Sequence, residues 1–167
     1  VRDRFHSTFD AHSKIYRYVI RNVADKNVFE RLYHHVVRPK LDLKAMRRAA
    51  LKLKGTHDFN AFKGPLAKAV NTHRTLLSVK ILRKKEKVLI EFHGKSFLHQ
   101  MVRILAGTLV YVGLGKIRPE EIPDIIASRE RRRAGPTLPP QGLFLVRVFY
   151  PRRRPRHDEG PVEEGIE

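Results

Sequence analysis

Residues 96–115, SFLHQMVRILAGTLVYVGLG, constrain this chain more than any other stretch. Leu98, Met101, Val102, Leu105, Leu109 and Val112 recur at helical spacing, and Ile104, Ala106, Val110 and Tyr111 make most of the other side apolar as well. A helix that is apolar nearly all round must be buried, so the spacing predicts a core helix over 96–113 around which the rest folds. Arg103 stands in its middle. An ionised group taken out of water costs several kcal/mol unless it is paired, and arginine cannot escape by losing its proton. Arg103 must therefore reach solvent at a cleft or meet a carboxylate. Asp10, Asp58 and Glu91 are the candidates within the chain. The predicted helix puts His99 one turn earlier on the same face, so that His99 and Arg103 form a polar notch.

The remaining pattern supplies layers for that helix. Alternation in RFHSTFDAHSKIYRYVIRN predicts two strands, at about 4–9 and 14–22, joined by a DAHS turn. Residues 23–40 read as irregular. In LDLKAMRRAALKLKG, Asp42 is suited to cap a helix, Leu43, Met46, Ala50 and Leu53 form its buried stripe, and Gly55 ends it. GTHDFNAFKG reads as a compact loop with two aromatics. THRTLLSVKILRKKEKVLIEFHG reads as a hairpin with Val88, Ile90 and Phe92 on one face and Glu91 and His93 on the other. A shorter helix follows in RPEEIPDIIASRE, with a break expected at Pro123. After the Pro- and Gly-rich loop RRRAGPTLPPQ comes a last strand, GLFLVRVFYP, with Leu143, Leu145 and Val148 or their alternates expected in the core. Hairpins with intervening helices imply an α+β domain: a mainly antiparallel, mixed sheet with helices packed on one face. That domain is expected over 1–151. Residues 152–167 hold almost no large apolar side chain, and a disordered tail is expected there.

The chain has 167 residues and a formal net charge of +18, from 35 Lys and Arg against 17 Asp and Glu. Such an excess speaks of partners rather than fold, and a nucleic acid is the commonest polyanionic one. The helix at 43–53 carries Lys44, Arg47, Arg48, Lys52 and Lys54 with no acid among them, a face that is either simply solvated or turned to RNA. Arg131, Arg132 and Arg133 form a second basic run. Tyr16 and Tyr18 share a strand face beside Lys14 and Arg17, which suits base stacking near phosphates as well as ordinary strand packing. No apolar run of 18 residues suggests a membrane span, no apolar signal region opens the sequence, and no cysteine is present. A cytoplasmic protein without disulfides or thiolate metal sites is expected. The histidines, including the pair at 34–35, show no metal-ligand spacing.

DRFHSTFDAHSKIYRYVIRN, GTHDFNAF, FLHQMVRILAG and RAGPTLPPQGLFLVRVFYP occur in this order and at spacings that resemble the C-terminal half of the bacterial tRNA pseudouridine synthase A family, from about Phe5 to Pro151. The resemblance implies isomerisation of uridine to pseudouridine in the anticodon stem-loop of tRNA, by a homodimer that needs no metal or redox cofactor. It implies that Tyr16 matches the active-site tyrosine that stacks on the target uracil and is a candidate to take its C5 proton. Arg103 matches the arginine that pairs with the catalytic aspartate, and Leu143 a leucine packed against the active site. Lys14, Arg17, Arg47, Arg48, His99, Arg131, Arg132 and Arg133 are the expected RNA-binding residues. Two departures accompany the match. Ile104 stands where the family often has asparagine, and the Arg-Thr-Asp-Ala-Gly-Val type motif bearing the aspartate occurs nowhere in the chain. The expectation is a C-terminal fragment of a longer enzyme, inactive alone. The alternatives are a non-catalytic RNA-binding module and a ribosome-associated protein, which the upstream coding sequence would separate.

Overall fold

Residues 11–23 and 32–151 are described by a computed structural model. In chain order they form β1 (Ser13–Arg21), β2 (His35–Val36), α1 (Leu43–Leu53), β3 (Gly55–Asp58), β4 (His73–Lys84), β5 (Lys87–Gly94), α2 (Met101–Gly113), α3 (Ile122–Ser128) and β6 (Leu143–Phe149). Alternation in the central strands decides which face is covered. Tyr18 and Ile20 of β1, Ile81 of β4, and Val88, Ile90 and Phe92 of β5 are buried on one face, and the register pairs Tyr18 with Ile90 and Ile20 with Val88. Arg17 and Glu91 pair on the opposite face, their side chains joined at 2.5 Å.

The sheet runs β2-β1-β5-β4-β3, and β6 also pairs with β1. All pairs are antiparallel except β1 with β2. Since β5 occupies one edge of β1, β6 and β2 share the other, β6 along Ser13–Tyr18 and β2 at Ile20 and Arg21. Helix α1 packs on β4 and on α2, and α2 packs on β1. Asp42 caps α1, its carboxylate accepting from the Ala45 N–H at 3.0 Å, while Met46, Ala49, Ala50 and Leu53 face the core. The α+β class with a mixed, mainly antiparallel sheet and helices on one face is the architecture observed.

Several boundaries differ from the sequence expectation. Helix α2 begins at Met101, five residues later than predicted, because Gln100 has a left-handed backbone with φ 60° that no α-helix continues through. Residues 35–36 form a short parallel strand rather than irregular chain. The first half of GTHDFNAFKG is β3, paired with β4. Pro123 lies in the first turn of α3 rather than breaking a helix, a place where its missing N–H removes no helical bond. Of β6 only its first residue, Leu143, packs against the core as expected, while Phe144 is 36% exposed, Leu145 54% and Val146 43%. The cause is position, since β6 lies at the margin of the sheet where neither helix covers it. The strand expected at 4–9 and the tail at 152–167 lie outside the described residues.

Candidate active site at the arginine of α2

Arg103 is half-buried on a helix whose Ile104, Leu105, Ala106 and Leu109 are fully enclosed. Neither candidate carboxylate within the described residues reaches it. Glu91 is taken by Arg17. Asp58 is taken by Arg129 at 2.7 Å, by the Thr72 hydroxyl and by the Asn60 N–H. Asp10 lies outside the described residues. Arg103 instead donates from Nε to the Leu138 carbonyl at 2.5 Å, and its own carbonyl accepts the Leu138 N–H at 3.3 Å. Among the described residues no carboxylate pairs with it.

Leu138 belongs to a strap, residues 135–142, that runs along α2 into β6. The Gly135 N–H donates to the Thr108 hydroxyl, which itself donates to the Ile104 carbonyl. The strap lies so close that a Cβ on Gly107 would fall 1.9 Å from the Pro136 carbonyl oxygen. Pro139 accepts from the Tyr18 hydroxyl at 2.6 Å. Tyr18 is fully buried; burial pushes its pKa well up, and nearby Arg103 pulls weakly the other way, so its hydroxyl stays a proton donor.

Tyr16 is two residues from Tyr18 on the same face of β1. It is partly buried, and its ring meets that of Phe97 edge-on, centroids 5.2 Å apart. Across the ladder Leu145 faces Tyr16 and Leu143 faces Tyr18. The structure thus gathers Tyr16, Leu143 and Arg103 on the β1–β6 side of the helix-covered face, linked through Tyr18 and the strap. Tyr18, which the sequence offers with Tyr16 as a stacking ring, is instead fully buried and bonded to the strap, and sequence reading did not mark Gly107 or Thr108 as parts of this assembly. The one available signal was a glycine inside an apolar helix, which marks a close backbone approach when the helix retains it.

The expected RNA-binding residues divide. Lys14 is half-buried, two residues before Tyr16 on the same strand face. Arg17 points to the opposite face and pairs with Glu91. On α1, Arg47 and Arg48 are exposed, although Arg47 Nε donates to the Ile81 carbonyl at 3.2 Å. His99 is exposed but precedes the left-handed Gln100, so it is not on the helix and forms no notch with Arg103. Arg131 is half-buried and clamps the strap, donating to the Gly135 carbonyl and the Thr137 hydroxyl. Arg132 is exposed and pairs with Glu130, and Arg133 is exposed and reaches the Asp124 carbonyl. Arg17 and Arg131 are thus engaged within the fold. Among the described residues no three His, Asp or Glu side chains gather to hold a metal ion, and no helix is long and apolar enough to cross a membrane.

Most of the chain's length is similar to known sequences. The chain is 46% identical over 146 residues to the tRNA pseudouridine synthase A of Acetivibrio thermocellus, covering 87% of this chain and 60% of that one. It is 41% identical over 150 residues to the protein of the same name from Thermoanaerobacter sp., covering 90% and 62%. For that of Geotalea uraniireducens the figures are 44% over 146 residues, 87% and 60%. The chain therefore spans about 60% of the length of the curated relatives it matches. The family profile described as tRNA pseudouridine synthase matches residues 49–151, from within α1 through β6, and on that match the chain belongs to the tRNA pseudouridine synthase family.

Proposed function

We propose that the chain supplies the tyrosine, arginine and leucine side of a tRNA pseudouridine synthase active site. The observation that carries this reading is Arg103. Its guanidinium is oriented by a backbone carbonyl, sits beside an aromatic strand face, and lacks a carboxylate among the described residues. An aspartate brought by sequence that this chain does not contain would complete the pair. The reaction breaks the C1′–N1 glycosidic bond of a uridine in the anticodon stem-loop, turns the base, joins C1′ to C5 and releases the C5 proton. The uridine must first leave its stack, at a cost of a few kcal/mol that protein contacts offset. In this reading the aspartate acts as nucleophile or base at the sugar, and Arg103 holds it ionised. Tyr16 stacks on the uracil and accepts the C5 proton, and Leu143 packs beneath the base. No metal or redox cofactor is called for.

The partner on this reading is tRNA, gripped mainly at its phosphates. Lys14, Arg47, Arg48, Arg132 and Arg133 are the basic residues left accessible for it. His99 is exposed at the foot of α2 and adds a hydrogen-bonding side chain there. The complete enzyme would act in the cytoplasm as a homodimer.

The decisive experiment fuses upstream of this chain the portion of the Acetivibrio thermocellus relative that it does not match. Tritium release from tRNA labelled at uridine C5 is then measured. The fusion is expected to release tritium, and the isolated chain to bind tRNA and release none. Release from the isolated chain would overturn the assignment of the aspartate. A folded, tRNA-binding fusion without release would overturn the activity.

A further inference from the structure

We propose that Tyr18, although buried away from any substrate, is a positioning residue that sets the direction of the Arg103 guanidinium through the strap. The inference rests on the reading of Arg103 given above for its functional meaning, but its structural content stands on local geometry alone.

Two neighbouring carbonyls of the strap are held from two different elements. Arg103 of α2 donates to Leu138 at 2.5 Å, and Tyr18 of β1 donates to Pro139 at 2.6 Å. The segment between and beyond them is Leu138-Pro139-Pro140. Proline fixes φ of its own residue and restricts the residue before it to extended conformations. Pro139 has φ −58° and ψ 151°. Leu138 and Pro139 each precede a proline, so the directions of their two carbonyls are coupled. Anchoring the oxygen of Pro139 therefore fixes the oxygen of Leu138, and with it the guanidinium plane of Arg103. With Nε engaged, the Nη1 and Nη2 atoms make no hydrogen bond among the described residues. They are the pair that a carboxylate takes in two-point contact.

The strap is seated so that Tyr18 has little freedom to relax. Leu138 is 4% exposed and Tyr18 fully buried. A Cβ on Gly142 would fall 2.8 Å from Tyr18 Cζ and 2.9 Å from the Val19 carbonyl oxygen. The other end of the strap is fixed independently, by Arg131 on Gly135 and Thr137 and by Thr108 on Gly135. Loss of the Tyr18 hydroxyl would therefore free the carbonyl pair near Arg103 without detaching the strap.

The test is the water-exchange rate of the Arg103 Nε–H, followed by NMR on this chain and assigned by its disappearance in Arg103→Met. Tyr18→Phe removes only the hydroxyl and is expected to speed that exchange about tenfold, the effect of losing one net hydrogen bond. The amides of Val88 and Ile90 in β5 report general loosening and are expected to exchange at unchanged rates. Gly142→Ala, which presses on the Tyr18 ring, should move the same Arg103 signal by a different route. In the fused enzyme, Tyr18→Phe should lower kcat and leave KM within about twofold, as for an interaction that matters only in the transition state. An Arg103 Nε–H rate unchanged in both variants overturns the proposal, as does a rise matched by the β5 amides. Neither result depends on the chain belonging to an active synthase, so failure here and failure of the functional reading are separable.

Discussion

Helices α1 and α2 lie side by side on the same sheet face and carry charge in opposite ways. Helix α1 is amphipathic, with Met46, Ala49, Ala50 and Leu53 inward and Lys44, Arg47, Arg48 and Lys52 in solvent. Helix α2 is enclosed almost throughout and carries a single arginine. The four cations of α1 are cheap to keep, because each retains its water. The one cation of α2 loses water, so it persists only where its environment supplies partners. The number of charges on a helix thus says little about where chemistry occurs. The cost of placing a charge says more, and Arg103, a costly charge with no carboxylate among the described residues, is where the proposed site lies.

The sharpest way to break the comparison is to remove the α2 charge. Arg103→Met in the fused enzyme is expected to lower tritium release by about two to three orders of magnitude, the usual cost of deleting one electrostatic interaction with a reacting group. In this chain alone the same change should cost only about 1–2 kcal/mol by denaturant unfolding, from the orphaned Leu138 carbonyl. A loss of about 3–5 kcal/mol would mean an abandoned internal carboxylate and a purely structural arginine. Next in size is Gly107→Ala. The added Cβ must push the strap off α2, and unfolding stability should fall by about 3 kcal/mol.

Asp58 extends the comparison to a placed negative charge. Burial would raise its pKa, but the Thr72 hydroxyl, the Asn60 N–H and Arg129 together hold it below its ordinary value. Its folded pKa is depressed, so its contribution to stability is complete above the unfolded value near 4 and is lost as pH falls below it. Asp58→Asn should cost about 1.5–3 kcal/mol at neutral pH and flatten the acid limb of a stability–pH profile. On α1, Arg47→Gln with Arg48→Gln should lower stability by no more than about 1 kcal/mol, mostly from the lost Arg47–Ile81 bond. For each tRNA phosphate that the double variant no longer neutralises, the slope of log affinity against log salt should become shallower by about 0.7–0.9. A large drop in stability there would erase the distinction between the two helices.

How far the sequence could be read follows from the kind of interaction involved. Alternation in β4 and β5 and the Asp42 cap of α1 were legible, because they depend on neighbours in sequence. Arg103 was legible because its cost is local to its helix. The start of α2 was not: Gln100 turns left-handed where Phe97 leaves the chain's path to meet Tyr16 across the fold. β6 misled because it is apolar on both faces, so alternation could not choose a side, and its exposure follows from its place at the sheet margin. The strap was invisible because most of its bonds use backbone N–H and carbonyl groups, which nearly every residue has. Nothing in a run of three arginines shows that the first, Arg131, also clamps the strap through the Gly135 carbonyl and the Thr137 hydroxyl.

The pairing of β1 with β6 joins the first and last strands of the described chain. Closing so long a loop is entropically costly and slow compared with forming the β4–β5 hairpin. During synthesis the hairpin and both large helices can assemble while β6 is still inside the ribosome. Tyr16 and Tyr18 then wait on an incomplete sheet, and Leu145 and Leu143 reach them only when β6 emerges. Assembly of the site is thereby tied to completion of the chain through β6. A truncated product that stops before Leu143 would carry Tyr16 and Arg103 without the ladder that sets Leu143 opposite Tyr18.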